Sequence, residues 1–203
     1  PFPGVDLEGV VTFRDIHDVD QMVSASGPEK NAVVIGGGLL GLEAAAGLSK
    51  RGMNVTVLHL MDTLMERQLD STAGAMLSRS LKERGLDIRL QAQTEAILGD
   101  GKVRAVKLKD GTEMPASIVV MAVGIRPNIA LAQKAGIHCE RGIVVNDTLQ
   151  TFDPSIYAVG ECVQHRGMVY GLVAPLFEQA KTCANHLAEL AISIYGGSSV
   201  STK

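Results

Sequence analysis

The sequence predicts an α/β fold, and three consecutive features of the chain support this prediction. A short run at 31–35, apolar after Asn31, is typical of a buried parallel strand, a glycine pattern follows at 36–41, and an alanine-rich helical pattern continues from Leu42 to Leu48. A second apolar run at 55–58 predicts another strand and completes a strand–helix–strand unit. We therefore expect a Rossmann-like parallel sheet whose first two strands are joined by a helix.

The glycine pattern between the strand and the helix indicates a dinucleotide site. Gly36, Gly38 and Gly41 are spaced as G-x-G-x-x-G. The first glycine permits a tight turn, the second lets the backbone approach a pyrophosphate, and the third lets the helix pack on the strand. Free N–H groups at the helix start then contact the phosphates. The alternative is a turn without a ligand, but three glycines in this register are unfavourable for a turn alone, so we prefer the nucleotide site.

The segments after this unit predict a β-excursion within the same domain. Hydrophobic periodicity predicts helices at 15–26 and 70–84. Three alternating segments separated by glycine-containing turns predict an antiparallel three-stranded β-meander. A meander in place of a crossover helix distinguishes this domain from a plain six-stranded doubly wound sheet. The strands after 70–84 are expected at 87–90, 95–98, 103–108, 112–114 and 118–123.

A long helix is predicted near the end of the chain. It is expected to run from Pro175 to Tyr195, because proline suits the first turn of a helix and Gly196–Gly197 would end it. The side chains expected to be buried along it are Leu176, Ala180, Cys183, Leu187, Leu190 and Ile194.

Composition excludes several classes of function. The 203 residues suffice for one domain and part of a second, and a net charge of −3 without a basic run argues against a nucleic-acid partner. The apolar runs are too short to cross a membrane, and the chain starts at Pro1 without a signal peptide, so we expect a piece of a longer protein. The three cysteines form no C-x-x-C pair, which predicts no dithiol relay and a reducing cytoplasm, and the five histidines lack metal-ligand spacing.

Two later motifs extend the evidence beyond the glycine pattern. Met121–Asn128 reads MAVGIRPN, and Thr151–Glu161 reads TFDPSIYAVGE. With the glycine pattern, they resemble the FAD-dependent pyridine nucleotide oxidoreductases. Runs at 59–70, 160–167 and 170–175 are similar to the large subunit of the assimilatory NAD(P)H-dependent nitrite reductase family.

The resemblance implies a division of the chain and a function. Residues 31–145 would form an NAD(P)-binding domain with its parallel sheet and meander, and 1–30 and 146–203 would be flanking pieces of a split FAD-binding domain whose first half is missing. In that family NAD(P)H reduces FAD, and electrons pass through an iron–sulfur cluster to a siroheme that reduces nitrite to ammonia. Neither of those two centres is encoded here. The orphaned pieces would pair with the rest of their own polypeptide, or with another copy in a homodimer or exchanged dimer.

The resemblance also implies site residues. Glu161 would accept hydrogen bonds from the sugar-like chain of the flavin, and the N-terminus of the last helix would face the flavin ring. Glu43 has two interpretations, as a positioning group for the nicotinamide or as a complement to the helix dipole. The residues expected to contact NAD(P) are Gly36, Gly37, Gly38, Leu39, Leu40, Gly41, His59, Arg67, Val123 and Gly124, and those expected to contact FAD are Gly160, Glu161, Val173 and Ala174.

Coenzyme preference and the final acceptor stay open. His59 stands where an acid for the ribose hydroxyls is expected, and it could donate to the ribose or cap the strand end. Thr63 stands where NADP-specific relatives carry arginine, so we favour NADH. The alternatives for the whole protein are a rubredoxin or ferredoxin reductase, an NADH oxidase-like flavoprotein, or a non-catalytic nucleotide-sensing or partner-binding module.

Overall fold

The computed structural model describes residues 2–190 and 194–198. The chain divides into two compact units, one up to Gly124 and the other from Ile125 onward. The predicted boundaries lie after residues 30 and 145. The strand at Val10–Thr12, which precedes the first of them, pairs with the sheet of the first unit. The assignment of the pieces to NAD(P) and FAD domains remains a prediction.

The first unit contains a five-stranded parallel sheet, three helices and an antiparallel meander. The parallel sheet has the order β1-β8-β2-β3-β4, and the meander has the order β5-β6-β7, which confirms the predicted α/β architecture. The elements are β1 (Val10–Thr12), α1 (Ile16–Ala25), β2 (Asn31–Ile35), α2 (Leu39–Lys50), β3 (Asn54–Leu58), α3 (Ser71–Glu83), β4 (Asp87–Arg89), β5 (Thr94–Asp100), β6 (Lys102–Leu108), β7 (Glu113–Pro115) and β8 (Ile118–Met121).

Strand β2 is apolar and buried from Ala32 to Ile35 because both of its faces are covered there. Ala32 and Val34 belong to the core cluster that includes Ala44, Ala45 and Leu48 of α2. The alternate residues Val33 and Ile35 belong to the cluster that includes residues of the meander. Successive side chains of a strand point to opposite faces, so helices on one face and a meander on the other require a continuous apolar run.

In its described residues, the second unit contains one short helix, a small sheet and one long helix. Strand β9 pairs in parallel with β10, and β10 pairs antiparallel with β11. Its core is formed by Val145, Leu149, Val163, Tyr170, Cys183 and Tyr195. The elements are α4 (Ala130–Lys134), β9 (Ile143–Val145), β10 (Val163–His165), β11 (Met168–Val169) and α5 (Val173–Leu187).

The prediction for the last helix was wrong in its bounds and in most of its buried face. Helix α5 begins at Val173 and ends at Leu187, and Glu189 then takes a left-handed φ of 54°. Its buried residues are Pro175, Gln179, Thr182 and Cys183. Gln179 and Thr182 are polar, and hydrophobic periodicity does not identify them. Of the residues predicted to be buried, Cys183 is buried and Leu176 is half-buried, whereas Ala180, Leu187, Leu190 and Ile194 are exposed.

A charged cluster joins the strands of the second unit. The carboxylate of Asp147 accepts hydrogen bonds from Arg166 Nη2 at 2.6 Å and Nε at 3.0 Å, and from Nε2 of His165 at 2.9 Å. These bonds, first from Arg166 and then from His165, lower the pKa of Asp147 from 3.8 to about 2. His165 is fully buried, with its ring beside Tyr195. The cluster therefore links β10 to the segment after β9.

We expect the charge of Asp147 to stabilise the second unit only above the acid range. A lowered pKa means that the contribution is complete above the ordinary value and is lost as the pH falls through about 2. The difference in free energy of unfolding between the natural chain and Asp147→Asn should therefore shrink from about pH 5 to about pH 2. Tyrosine fluorescence monitors this unit, since Tyr157, Tyr170 and Tyr195 all lie in it.

The matched control is Glu189→Gln, which removes an exposed carboxylate of the same unit. The difference in free energy of unfolding between the natural chain and this variant should not vary over this pH range. A difference for Asp147→Asn that stays constant with pH would contradict the assignment.

Candidate nucleotide-binding site

The turn after β2 requires glycine at its first position. Gly36 has a φ of +123°, and a Cβ atom there would lie 2.2 Å from the carbonyl oxygen of Ala122. The N–H of Gly36 donates to the carbonyl of Leu58 at 2.8 Å, so the turn starts while the chain is still paired with β3. The turn is therefore pressed against the segment that leaves β8, and no side chain fits between them.

The third glycine brings α2 close to this turn. A Cβ atom at Gly41 would lie 1.9 Å from the carbonyl oxygen of Gly36. Gly41 is buried, and the helix passes directly over the turn at this point. The structure thus agrees with the packing roles expected for the first and third glycines.

The middle glycine of the pattern faces open space instead. Gly38 is the N-cap of α2, and a Cβ atom there would meet no atom within 4 Å in the described part of the chain. No side chain of the described residues caps this end of the helix. Because the first N–H groups of a helix have no partners within it, those of the first turn of α2 are available to an anionic ligand. These residues therefore fit the pyrophosphate of a dinucleotide.

His59 supports the glycine turn from the end of β3. The N–H of Gly37 donates to Nδ1 of His59 at 3.0 Å, and Nε2 of the same ring lies 3.1 Å from Oε2 of Glu66. A Cβ atom at Gly37 would lie 2.7 Å from Cγ of His59 and 2.5 Å from Cδ2 of Leu64, which explains the extra glycine. His59 is 8% exposed, and both ring nitrogens have protein partners. This geometry favours the strand-end cap over a donor to the ribose.

The segment after β8 runs along the other side of the turn. The N–H of Ala122 donates to the carbonyl of Ile35 at 2.8 Å. β8 ends at Met121 rather than at the predicted residue 123, and Val123 is exposed beside a Gly124 whose φ is +98°. The predicted contact of these two residues with the coenzyme stays a prediction.

Glu43 and Arg67 have no fixed partners. Glu43 is the fifth residue of α2 and lies beyond its first turn, which weakens its interpretation as a complement to the dipole. Its side chain is exposed and free of hydrogen bonds and ion pairs within the described residues, and the same holds for Arg67. Their predicted roles toward the nicotinamide and the coenzyme remain predictions.

The residues expected to contact FAD lie in the second unit. Gly160, with a φ of +100°, donates its N–H to Oε1 of Gln179 at 3.0 Å. Glu161 follows and is half-buried. Val173 and Ala174 are exposed at the start of α5, which has no side-chain cap among the described residues. Glu161 lies in the turn that precedes β10 rather than at the end of a strand. A half-buried carboxylate in this turn and an uncapped helix start fit the two flavin contacts that the resemblance implies.

Two residues of these sites were missed by the sequence reasoning. Gln179 is fully buried, and its Nε2 has no hydrogen-bond partner in the described structure. Its only signal in the sequence was its position three residues after Leu176 and four before Cys183, in register with the face predicted to be buried. Glu66 could have been found from His59, because an imidazole at the end of a buried strand needs partners for both nitrogens.

Two of the three cysteines, Cys162 and Cys183, are poorly suited to act as nucleophiles. Burial raises the pKa of the Cys162 thiol and of the Cys183 thiol above the ordinary value. A thiol with a raised pKa is a poor nucleophile at neutral pH. Among residues 2–190 and 194–198, no three His, Cys, Asp or Glu side chains are grouped to hold a metal ion. No helix in that part of the chain is long and apolar enough to span a membrane.

Comparison with known proteins establishes the family. Residues 1–186 match the pyridine nucleotide-disulphide oxidoreductase family, so the chain belongs to it. The predicted resemblance is thereby confirmed.

Individual relatives narrow the comparison. The chain is 56% identical to the nitrite reductase (NAD(P)H) of Bacillus subtilis (strain 168). The match covers the whole of this chain and 25% of that protein. It is 47% identical to the assimilatory nitrate reductase electron transfer subunit of the same organism. That match covers 99% of this chain and 26% of the subunit. Among solved structures, a chain in the crystal structure of the covalent putidaredoxin reductase–putidaredoxin complex is 33% identical, with a TM-score of 0.86. The match covers 91% of this chain and 46% of that chain. The chain thus spans about a quarter of the length of these curated relatives.

Two glycines of α2 should respond oppositely to the same substitution. Gly41→Ala forces a methyl group against the carbonyl of Gly36, so we expect a loss of several kcal/mol in unfolding free energy, at or beyond the ~3 kcal/mol typical of severe overpacking. Gly47→Ala meets open space in the same helix, and we expect a gain of about 0.5–1 kcal/mol. Urea unfolding followed by far-ultraviolet circular dichroism measures both. Equal effects of the two variants would contradict the close helix–turn contact.

Proposed function

We propose that the chain is the NAD(P)H-binding region, with part of the FAD-binding region, of a flavoprotein oxidoreductase. The observation that carries this proposal is the uncapped start of α2, where open space lies beside Gly38. In this proposal the N–H groups of Leu39 and Leu40 donate to the pyrophosphate of the coenzyme. The partial positive charge of the helix N-terminus strengthens these bonds.

The other residues of the turn keep this helix end in place. Gly36 and Gly41 provide the close packing, and Gly37 is held by His59. Val123 and Gly124 would border the nicotinamide half of the coenzyme, with Glu43 as a positioning group toward it. Arg67 would lie near the adenosine half.

The second unit would hold the flavin through Glu161 and the start of α5. Glu161 would accept hydrogen bonds from the flavin's sugar-like chain beside Gly160, and the N–H groups of Val173 and Ala174 would face its ring. When both cofactors are bound, NAD(P)H supplies a hydride and FAD passes the electrons on singly. The raised pKa of the Cys162 thiol supports electron transfer that uses no cysteine nucleophile.

For the whole protein we propose nitrite reduction to ammonia, with the iron–sulfur cluster and the siroheme outside this chain. The support is the 56% identity to a nitrite reductase (NAD(P)H) over all 203 residues. A second candidate is a reductase that serves a ferredoxin-type partner, which is favoured by the similarity to the putidaredoxin reductase structure. Assays of the whole protein with NADH and either nitrite or a ferredoxin would separate the two. Bound FAD that NAD(P)H does not reduce in stopped flow would instead favour a sensing module.

Coenzyme binding should depend on the open space at Gly38. We expect Gly38→Ala to keep the stability of the chain, because its Cβ meets no protein atom and its φ of −86° suits alanine. The methyl group would occupy the place of the pyrophosphate, so affinity for NADH should fall by at least about tenfold. Isothermal titration calorimetry of the 203-residue chain measures the affinity.

The matched control is Gly47→Ala, which adds the same methyl group two turns further along α2. It should leave the affinity unchanged. The proposal fails if the natural chain binds neither NADH nor NADPH, or if Gly38→Ala binds as tightly as the natural chain.

A further inference from the structure

We propose that Glu66, held in place by His59, determines the preference for NADH over NADPH. Its carboxylate accepts hydrogen bonds from the hydroxyl groups of the adenosine ribose and repels the 2′-phosphate of NADPH. This inference rests on the proposed function, since it assigns a specificity residue to the same nucleotide site.

The usual place for a ribose acceptor is filled by a residue that cannot serve. In α/β dinucleotide sites an acid near the end of the second strand bonds the ribose 2′-hydroxyl. Here His59 directly follows β3, and two hydrogen bonds fix its main chain. Its N–H donates to the carbonyl oxygen of Arg89, and its carbonyl oxygen accepts from the N–H of Ala92, each at 2.9 Å. Its ring is 8% exposed, and both nitrogens are engaged. The acceptor must therefore come from elsewhere.

The hydrogen bonds of His59 determine which nitrogen carries the proton. The main-chain N–H of Gly37 can only donate, so Nδ1 of His59 accepts and has no proton. Nε2 then carries the hydrogen and donates to Oε2 of Glu66 at 3.1 Å. The imidazole thus acts as a fixed link that orients the carboxylate of Glu66 relative to the glycine turn.

A second contact ties the main chain beside Glu66 to the same turn. The N–H of Met65 donates to the carbonyl of Gly37 at 3.1 Å, and Met65 takes a left-handed φ of 55°. Gly37 therefore makes two hydrogen bonds: its N–H donates to the ring of His59, and its carbonyl accepts from the N–H of Met65. The loop that carries Glu66 is attached to the proposed phosphate site through both its main chain and its side chain.

The carboxylate of Glu66 keeps acceptor capacity for a ligand. Its side chain is 34% exposed, and a carboxylate offers about four acceptor positions, of which His59 uses one. Within the described residues, His59 is its only ion-pair partner. A ribose diol can donate to such a group, whereas a 2′-phosphate would bring a second anion against it. The chemistry favours the unphosphorylated coenzyme.

Glu66→Gln tests the charge with little change of shape. Its amide oxygen can still accept from His59, so the loop should hold its place while the negative charge is lost. Calorimetric titration of the 203-residue chain should show NADH bound at least about tenfold more tightly than NADPH. In Glu66→Gln this preference should fall below about threefold, mainly through tighter binding of NADPH.

Two further variants separate orientation from net charge. In His59→Asn the shorter side chain can still accept from Gly37 but cannot reach Glu66, so the preference should fall while both coenzymes still bind. Asp62→Asn removes the same charge from an exposed residue four positions earlier in the loop, and the preference should not change. Circular dichroism verifies that each variant folds. If Glu66→Gln does not fold, the NADH preference of His59→Asn is the test.

Two results would overturn the proposal. One is a natural chain that binds NADPH at least as tightly as NADH, which would favour Arg67 as a phosphate ligand. The other is an equal loss of preference in Asp62→Asn and Glu66→Gln. Binding of neither coenzyme would overturn the proposed function itself, and so it is distinct from a failure of selectivity.

Discussion

The contact between helix α2 and the glycine turn is the constraint on which the first unit depends. A Cβ atom at Gly41 would stand 1.9 Å from the carbonyl of Gly36, and one at Gly36 would stand 2.2 Å from the carbonyl of Ala122. Helix, turn and the segment after β8 therefore meet through main chain alone. This close approach places the uncapped first turn of α2 at the carboxyl edge of the parallel sheet, where open α/β sheets bind their ligands.

His59 adds a second layer of support to that turn. By accepting from Gly37 and donating to Glu66, it joins the end of β3, the glycine turn and the following loop in one hydrogen-bonded chain. Buried polar groups stabilise a fold only when their bonding capacity is satisfied, and here both ring nitrogens are. The glycine at position 37, in the middle of three consecutive glycines, follows from this arrangement, because a side chain there would overlap the imidazole.

Local sequence patterns predicted the elements whose structure is determined by residues close together in the sequence. Strand β2, the meander and the close packing at Gly36 and Gly41 follow from periodicity and glycine spacing, and all are present. The predictions failed where distant partners decide. Helix α5 buries Gln179 because the N–H of Gly160 needs an acceptor, and no apolar period encodes that bond. The Glu66 carboxylate likewise acquires its place through His59, seven residues earlier in the chain.

The central claim is that main-chain N–H groups at the start of α2 bind the pyrophosphate of a reduced pyridine nucleotide. Two-dimensional ¹⁵N–¹H NMR of the 203-residue chain, titrated with NADH, tests this most directly. The account predicts that the largest amide shifts occur at Gly38, Leu39, Leu40 and Gly41, since a hydrogen bond to phosphate strongly changes the environment of an amide proton. Saturable binding that leaves these four amides unshifted, or no binding at all, would contradict it.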